Sequence, residues 1–241
     1  MELKIFKNID EASLFAAEKV AAVVKKRPDA VLGLATGSSP IKMYAYLIDW
    51  YKRGLLDFSR VRSINLDEYI GLDGDHAQSY RYFMDEYLFK HINIDPQNTF
   101  LPNGVAPDLE DECNRYDMLW DTLGGTDIQV LGIGPNGHIG FNEPGQILRV
   151  GTHIEHLTAN TMNANSRFFE SVDEVPSRAI TMGMGEIMRS KEVIVLAFGK
   201  VKAPVISAFA NDDVTTAIPV TLIKLHPNAT LIVDEEAASE L

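Results

Sequence analysis

Short apolar, β-rich runs alternate along this chain with stretches of helical period, and that alternation restricts the fold more than any other feature. The runs lie at residues 3–6, 31–36, 61–66, 127–133, 192–198 and 229–233. Most of the intervals between them are long enough for a crossover helix, which parallel neighbours require. Between the second and third runs, Tyr44, Leu47, Ile48 and Tyr51 recur at i, i+3, i+4 and i+7, and Gly54 supplies a stop. The pattern predicts an α/β fold: a mainly parallel sheet with helices on both faces. No repeat, low-complexity tract or Pro/Gly/Ser linker divides the chain, so residues 1–241 are expected to form a single α/β domain. One segment breaks the alternation. Residues 145–178 are too polar for core and too long for an ordinary connection, which points to a lid over a site.

The run Gly132 to Gly145, GIGPNGHIGFNEPG, places His138 and Glu143 in a glycine-bounded turn directly after an apolar strand. That turn falls at the strand's carboxyl end, where open α/β sheets bind ligands. A histidine and a glutamate five residues apart suit a proton-transfer pair in which the carboxylate orients the imidazole. Asn136-Gly137 is also a common turn dipeptide, so those two residues can be present for backbone conformation alone. The spacing matches no familiar zinc or calcium ligand pattern, and no metal is expected.

Three further elements belong to the same edge. At Leu34-Ala35-Thr36-Gly37-Ser38-Ser39-Pro40 an apolar strand runs into a Gly/Ser turn and a helix opened by proline. Backbone N–H groups at such a junction cradle phosphate, with the Thr36, Ser38 and Ser39 hydroxyls as added donors; alternatively Ser39 is only a helix cap. The turn lacks both Gly-Lys-Ser/Thr and GxGxxG, so no nucleotide is implied. At Ser63 to Tyr69 two carboxylates, Asp67 and Glu68, appear as a strand ends. Successive strand side chains face opposite ways, so one at most faces a given pocket and the other makes a structural contact. Asp67 reads either as a base or as a cap for the next segment. Finally, Arg167 and either Lys200 or Lys202 are available as phosphate cations.

Charge and cysteine usage bound the partners. Against 22 Lys and Arg stand 34 Asp and Glu, a net charge of -12, which argues against nucleic acid or a membrane surface and leaves a small-molecule substrate. Cys113 is the one cysteine and sits in a helical pattern, so a structural thiol in a cytoplasmic protein is expected. The first 26 residues contain acidic side chains and no continuous apolar stretch, which fits neither a signal peptide nor a span.

Five stretches together resemble the glucosamine-6-phosphate deaminase family, whose superfamily includes 6-phosphogluconolactonase. They are LGLATGSSP at 32–40, NLDEYIGL at 65–72, LGIGPNGHIGFNEPG at 131–145, NSRFF at 165–169 and GKVKA at 199–203, with IPVTLIKLHPN at 218–228 as support. The resemblance implies a Rossmann-like fold without a nucleotide and reversible conversion of glucosamine 6-phosphate and water to fructose 6-phosphate and ammonium, with no cofactor. It implies that Asp67 moves a proton between C2 and C1, that His138 opens the pyranose ring with Glu143 assisting, and that Thr36, Gly37, Ser38, Ser39, Arg167 and Lys202 hold phosphate. Asn136 stands where many members of the family carry Asp. An amide supplies no charge to the histidine, so the acid limb of the pH profile is expected to sit lower than in those members. The chain is shorter than hexameric allosteric members and Gln146 to Gly151 lacks their basic pattern, so the resemblance carries over neither their activation nor their hexamer, and a monomer or homo-oligomer is expected. The alternatives are a lactonase of the same superfamily, which resembles GHTASLFP where this chain has GHIGFNEP, and a non-catalytic sugar-phosphate sensor. Sensors of that kind usually carry a basic helix-turn-helix, and none precedes the first strand.

Overall fold

A computed structural model of the chain describes residues 1–166, 169, 171, 174–210 and 213–241. Seven of its strands form one parallel sheet: β1 (Glu2–Phe6), β2 (Val31–Leu34), β3 (Arg62–Asn65), β5 (Thr99–Phe100), β6 (Ile128–Gly132), β9 (Val193–Ala197) and β10 (Ala229–Asp234). Three more, β4 (Asp67–Tyr69), β7 (His153–His156) and β8 (Arg178–Thr181), form a small antiparallel sheet. All six expected runs become strands of the large sheet. The run at 31–36 stops at Leu34, because Thr36 and Gly37 already turn towards the next helix. The two-residue β5 and the entire small sheet are additions to the sequence reading.

Central strands β9 and β10 are buried along their whole length. Their unbroken apolar character follows, since a strand covered on both faces has no solvent side to alternate towards. Edge strand β1 is largely exposed. The sheet order is β1-β10-β9-β6-β2-β3-β5. From β1 through β2 and β3 to β5 the chain moves one way across the sheet, and from β5 through β6 and β9 to β10 it moves back. With right-handed crossovers, α1 (Ile9–Lys26) and α2 (Ile41–Lys52) cover one face. By the same rule α4 (Leu109–Leu123) and the helix Ala203–Ala210 cover the other. The reversal leaves a crevice at the carboxyl ends of adjacent strands β2 and β6, which pair at Leu32 with Ile128 and Gly33 with Gln129. A topological switch of this kind is where an open α/β sheet binds its ligand.

The helical period read around Tyr44 is α2, with Tyr44 and Leu47 fully buried and Gly54 past its end at φ 69°. Its cap position is Pro40, with no side-chain cap, so Ser39 does not cap it. Cys113 is buried on α4. The segment expected as a lid carries β7 and the short helix α5 (Ala159–Asn165), and Arg178 opens β8. β4 pairs with β8, and β8 with β7, so the small sheet hangs from the end of β3 and closes one side of the crevice.

Candidate active site

The crevice at the β2/β6 ends opens into a cleft of about 420 Å³. It is lined by the Thr36 to Ser39 turn, by Asp67, by Gly132 to Pro135 with His138, and by Lys202. Four elements read separately from the sequence therefore meet at one place. Gly37 takes φ 84°, a left-handed conformation that favours glycine and lets the turn fold back beneath the cleft. Lys200 is absent from the lining. Gly199, at φ 81°, donates its N–H to both Asp234 carboxylate oxygens at 2.9 and 3.1 Å. That anchor starts the turn Lys200–Lys202, and the Lys202 ammonium reaches the Ile133 carbonyl at 2.5 Å. Glu143 and Asn136 stand behind the lining rather than in it. Arg167 lies outside the described residues.

His138 packs over Gly134, where any Cβ would overlap the imidazole. Its Nδ1 lies 3.6 Å from Glu143 Oε2, and the same carboxylate oxygen accepts the Asn136 amide at 2.8 Å. Asn136 Oδ1 in turn accepts the His138 backbone N–H at 3.2 Å. The amide thus braces the turn and the glutamate. On Glu143, burial pushes the carboxyl up, but the hydrogen bond and charge of His138, with Thr161 and Asn136 donating, outweigh it and bring the group down to about 2.

Asp67 has the opposite surroundings. Burial pushes its carboxyl well above the ordinary aspartate range, and neighbouring Glu68 adds to the shift. Glu68 faces away from the cleft, as strand alternation requires. It accepts the backbone N–H groups of Tyr69, Tyr80 and Arg81, each at 2.9 Å, and so caps α3 (Tyr80–Tyr87) from outside. Burial nevertheless raises it to about 7. Two carboxylates held in one site with their ionisation pulled apart are the arrangement from which acid and base roles are assigned.

Two lining groups were not among the expected site residues, although Asn165 opens the NSRFF stretch. Tyr80 enters from the start of α3 and stacks on Phe141 with ring centroids 5.9 Å apart. Asn165, at the end of α5, lines the cleft and donates to the Tyr69 hydroxyl at 2.9 Å. Helical period alone could not single out either residue.

The model of the family described as glucosamine-6-phosphate isomerases/6-phosphogluconolactonase matches residues 7–232. A glucosamine-6-phosphate deaminase of Clostridium perfringens is 54% identical over 241 residues, covering 100% of both chains. One from Thermoanaerobacter pseudethanolicus is 53% identical, covering 99% of this chain and 94% of that one. Among solved structures, a monomeric glucosamine-6-phosphate deaminase superposes with a TM-score of 0.98 at 44% identity over the whole of both chains. A 6-phosphogluconolactonase from Trypanosoma brucei has a TM-score of 0.77 at 19% identity, covering 100% of this chain and 98% of that one, which is a likeness of fold. This chain belongs to the glucosamine-6-phosphate isomerase/6-phosphogluconolactonase family.

Proposed function

We propose that this protein is a glucosamine-6-phosphate deaminase, converting its substrate and water to fructose 6-phosphate and ammonium, and that the cleft at the β2/β6 switch is where it does so. The observation that carries the reading is a cleft lined by Asp67, His138 and the Thr36 to Ser39 turn, with Glu143 behind His138 and tuned oppositely to Asp67. Full-length relatives at 53 to 54% identity that are glucosamine-6-phosphate deaminases support it.

The substrate phosphate sits on the Thr36 to Ser39 turn, with Lys202 and Arg167 supplying positive charge against the overall acidity. Exposed charges are screened over roughly 8 Å at physiological salt, so local cations decide the matter. His138 transfers the proton that opens the pyranose ring, taking it from the anomeric hydroxyl and returning one to the ring oxygen. Glu143 stabilises the imidazolium formed in between. Asp67, once ionised, removes the proton on C2 and delivers it to C1, while the C1 oxygen takes a proton given up by the substrate's amino group, leaving an imine at C2. Water adds to that imine, the carbon–nitrogen bond breaks, and ammonium leaves with fructose 6-phosphate. An apolar setting for Asp67 strengthens it as a base towards carbon, and residues 145–178 act as a lid that keeps bulk water from the intermediate. The solved deaminase similar to this chain is monomeric, and we propose the same state here, which light scattering checks.

The test is release of ammonium and fructose 6-phosphate from glucosamine 6-phosphate by purified protein, with 6-phosphogluconolactone assayed in parallel. Equal release of both products is the expected result. Lactone hydrolysis without ammonium release would replace this reading with the lactonase one.

A further inference from the structure

Helix α5 and its cap Thr158 are docked on the His138–Glu143 pair, and Thr161, 1% exposed, is the residue that touches both members of the pair. Its hydroxyl has one proton and two lone pairs. It donates to Glu143 Oε1, the short contact of the group. The Thr158 hydroxyl lies 3.1 Å from it and 3.3 Å from Glu143 Oε1, and His138 Nδ1 lies 3.3 Å away. Because the single proton is directed at Glu143, the bond with the imidazole is closed by a proton on Nδ1. The other neighbour of that nitrogen, Glu143 Oε2, is also an acceptor. Both therefore select the tautomer in which Nδ1 carries hydrogen and Nε2 is the basic nitrogen.

We infer that Thr161 is a positioning residue, holding His138 in its Nδ1–H tautomer and Glu143 in its ionised form whenever α5 is seated. The inference rests on the deaminase reading for its kinetic consequences and adds a residue outside the cleft lining. Its structural logic is continuous with the small sheet. β7 leads directly into Thr158 and α5, while β4 of the same sheet carries Asp67, so one three-stranded unit places both the base and the hydroxyl that orders the acid. Thr158 caps α5, its hydroxyl oxygen 3.3 Å from the Thr161 N–H, which fixes the turn that aims Thr161 at Glu143.

The variants are Thr161→Val, which keeps the branched shape and removes the hydroxyl, and Thr161→Ser, which restores it. Thr161→Val is expected to lower kcat about tenfold with KM within about twofold, the effect of removing one hydrogen bond to a charged group. The acid limb of its kcat profile moves to higher pH, because Glu143 loses a donor that favours its charge. Thr161→Ser returns kcat and the limb towards wild type. Nitrogen NMR of the histidine rings, with His138 assigned by its loss in His138→Gln, gives a readout that does not depend on turnover: the Nδ1 signal moves in Thr161→Val and returns in Thr161→Ser. If wild-type protein releases no ammonium the deaminase reading fails, and the NMR comparison still decides Thr161. An unmoved His138 signal overturns the inference. So does a Thr161→Val protein that is less stable but keeps the wild-type pH profile.

Discussion

The two sheets of this molecule divide the site between them. The seven-stranded parallel sheet supplies groups whose charge is answered: the Lys202 ammonium on the Ile133 carbonyl, and Glu143 among His138, Thr161 and Asn136. The three-stranded sheet supplies Asp67, a carboxyl whose charge burial opposes. Anion binding needs donors fixed in place, whereas abstraction of a proton from carbon needs a base that solvent does not stabilise. The base thus stands on the small sheet while His138 and Glu143 follow β6 of the large one, and Thr161, reached from β7, joins the two.

The largest expected effect removes the small sheet's contribution. Asp67→Asn should lower kcat by about three orders of magnitude or more, the scale of a lost general base, while substrate still binds. The same change should raise the midpoint of thermal unfolding at neutral pH by about a few degrees. The sign follows from linkage. A carboxyl whose folded value lies above its unfolded one holds its proton more tightly when folded, so wild-type stability declines as pH rises from about 4 through the raised value. A substitution that lowers both activity and stability would contradict this account of Asp67.

On the other side, Glu143→Gln leaves the imidazolium without its countercharge and should reduce kcat by about tenfold to a hundredfold. Here the sign is opposite: the folded value is depressed, so the stabilising contribution is present above about pH 4 and lost as pH falls towards 2. Acid unfolding of Glu143→Gln should therefore lack that component. Lys202→Ala acts on binding, raising KM about tenfold with kcat within about twofold. An unchanged KM would move the phosphate away from the β9 turn.

Asn136→Asp sharpens the comparison with the smallest effect. The Asn136 amide donates to Glu143 at 2.8 Å, so an aspartate there sets two carboxylates together and adds negative charge beside His138. The acid limb of the pH profile should move upward by a fraction of a unit, and an unmoved limb would mean that the amide serves the turn alone.

The large sheet was legible in the sequence because its central strands are buried on both faces and read as continuous apolar runs, such as Val193 to Ala197. The turns at Thr36 to Ser39 and Gly134 to His138 were legible because glycines mark where backbone must bend or a ring must pass close. The small sheet was not. Asp67–Tyr69 is too short to show a period, and His153–His156 lies in a polar stretch whose strand character comes only from pairing with β8. Thr161 and Tyr80 escaped for a related reason: each acquires its place from a partner far along the chain, Glu143 for one and Phe141 for the other. Alternation correctly set Glu68 apart from Asp67, although its role in capping α3 needed the fold to be seen.

The opposed ionisation of Asp67 and Glu143 is best tested by an isotope-edited infrared titration of the side-chain carboxyls in wild type, Asp67→Asn and Glu143→Gln. Asp67→Asn should delete a carboxyl that stays protonated well above the usual range, and Glu143→Gln should delete one that stays ionised down to about pH 2. Two carboxyls titrating together in the ordinary range of about 4 would contradict the division of the site between its two sheets.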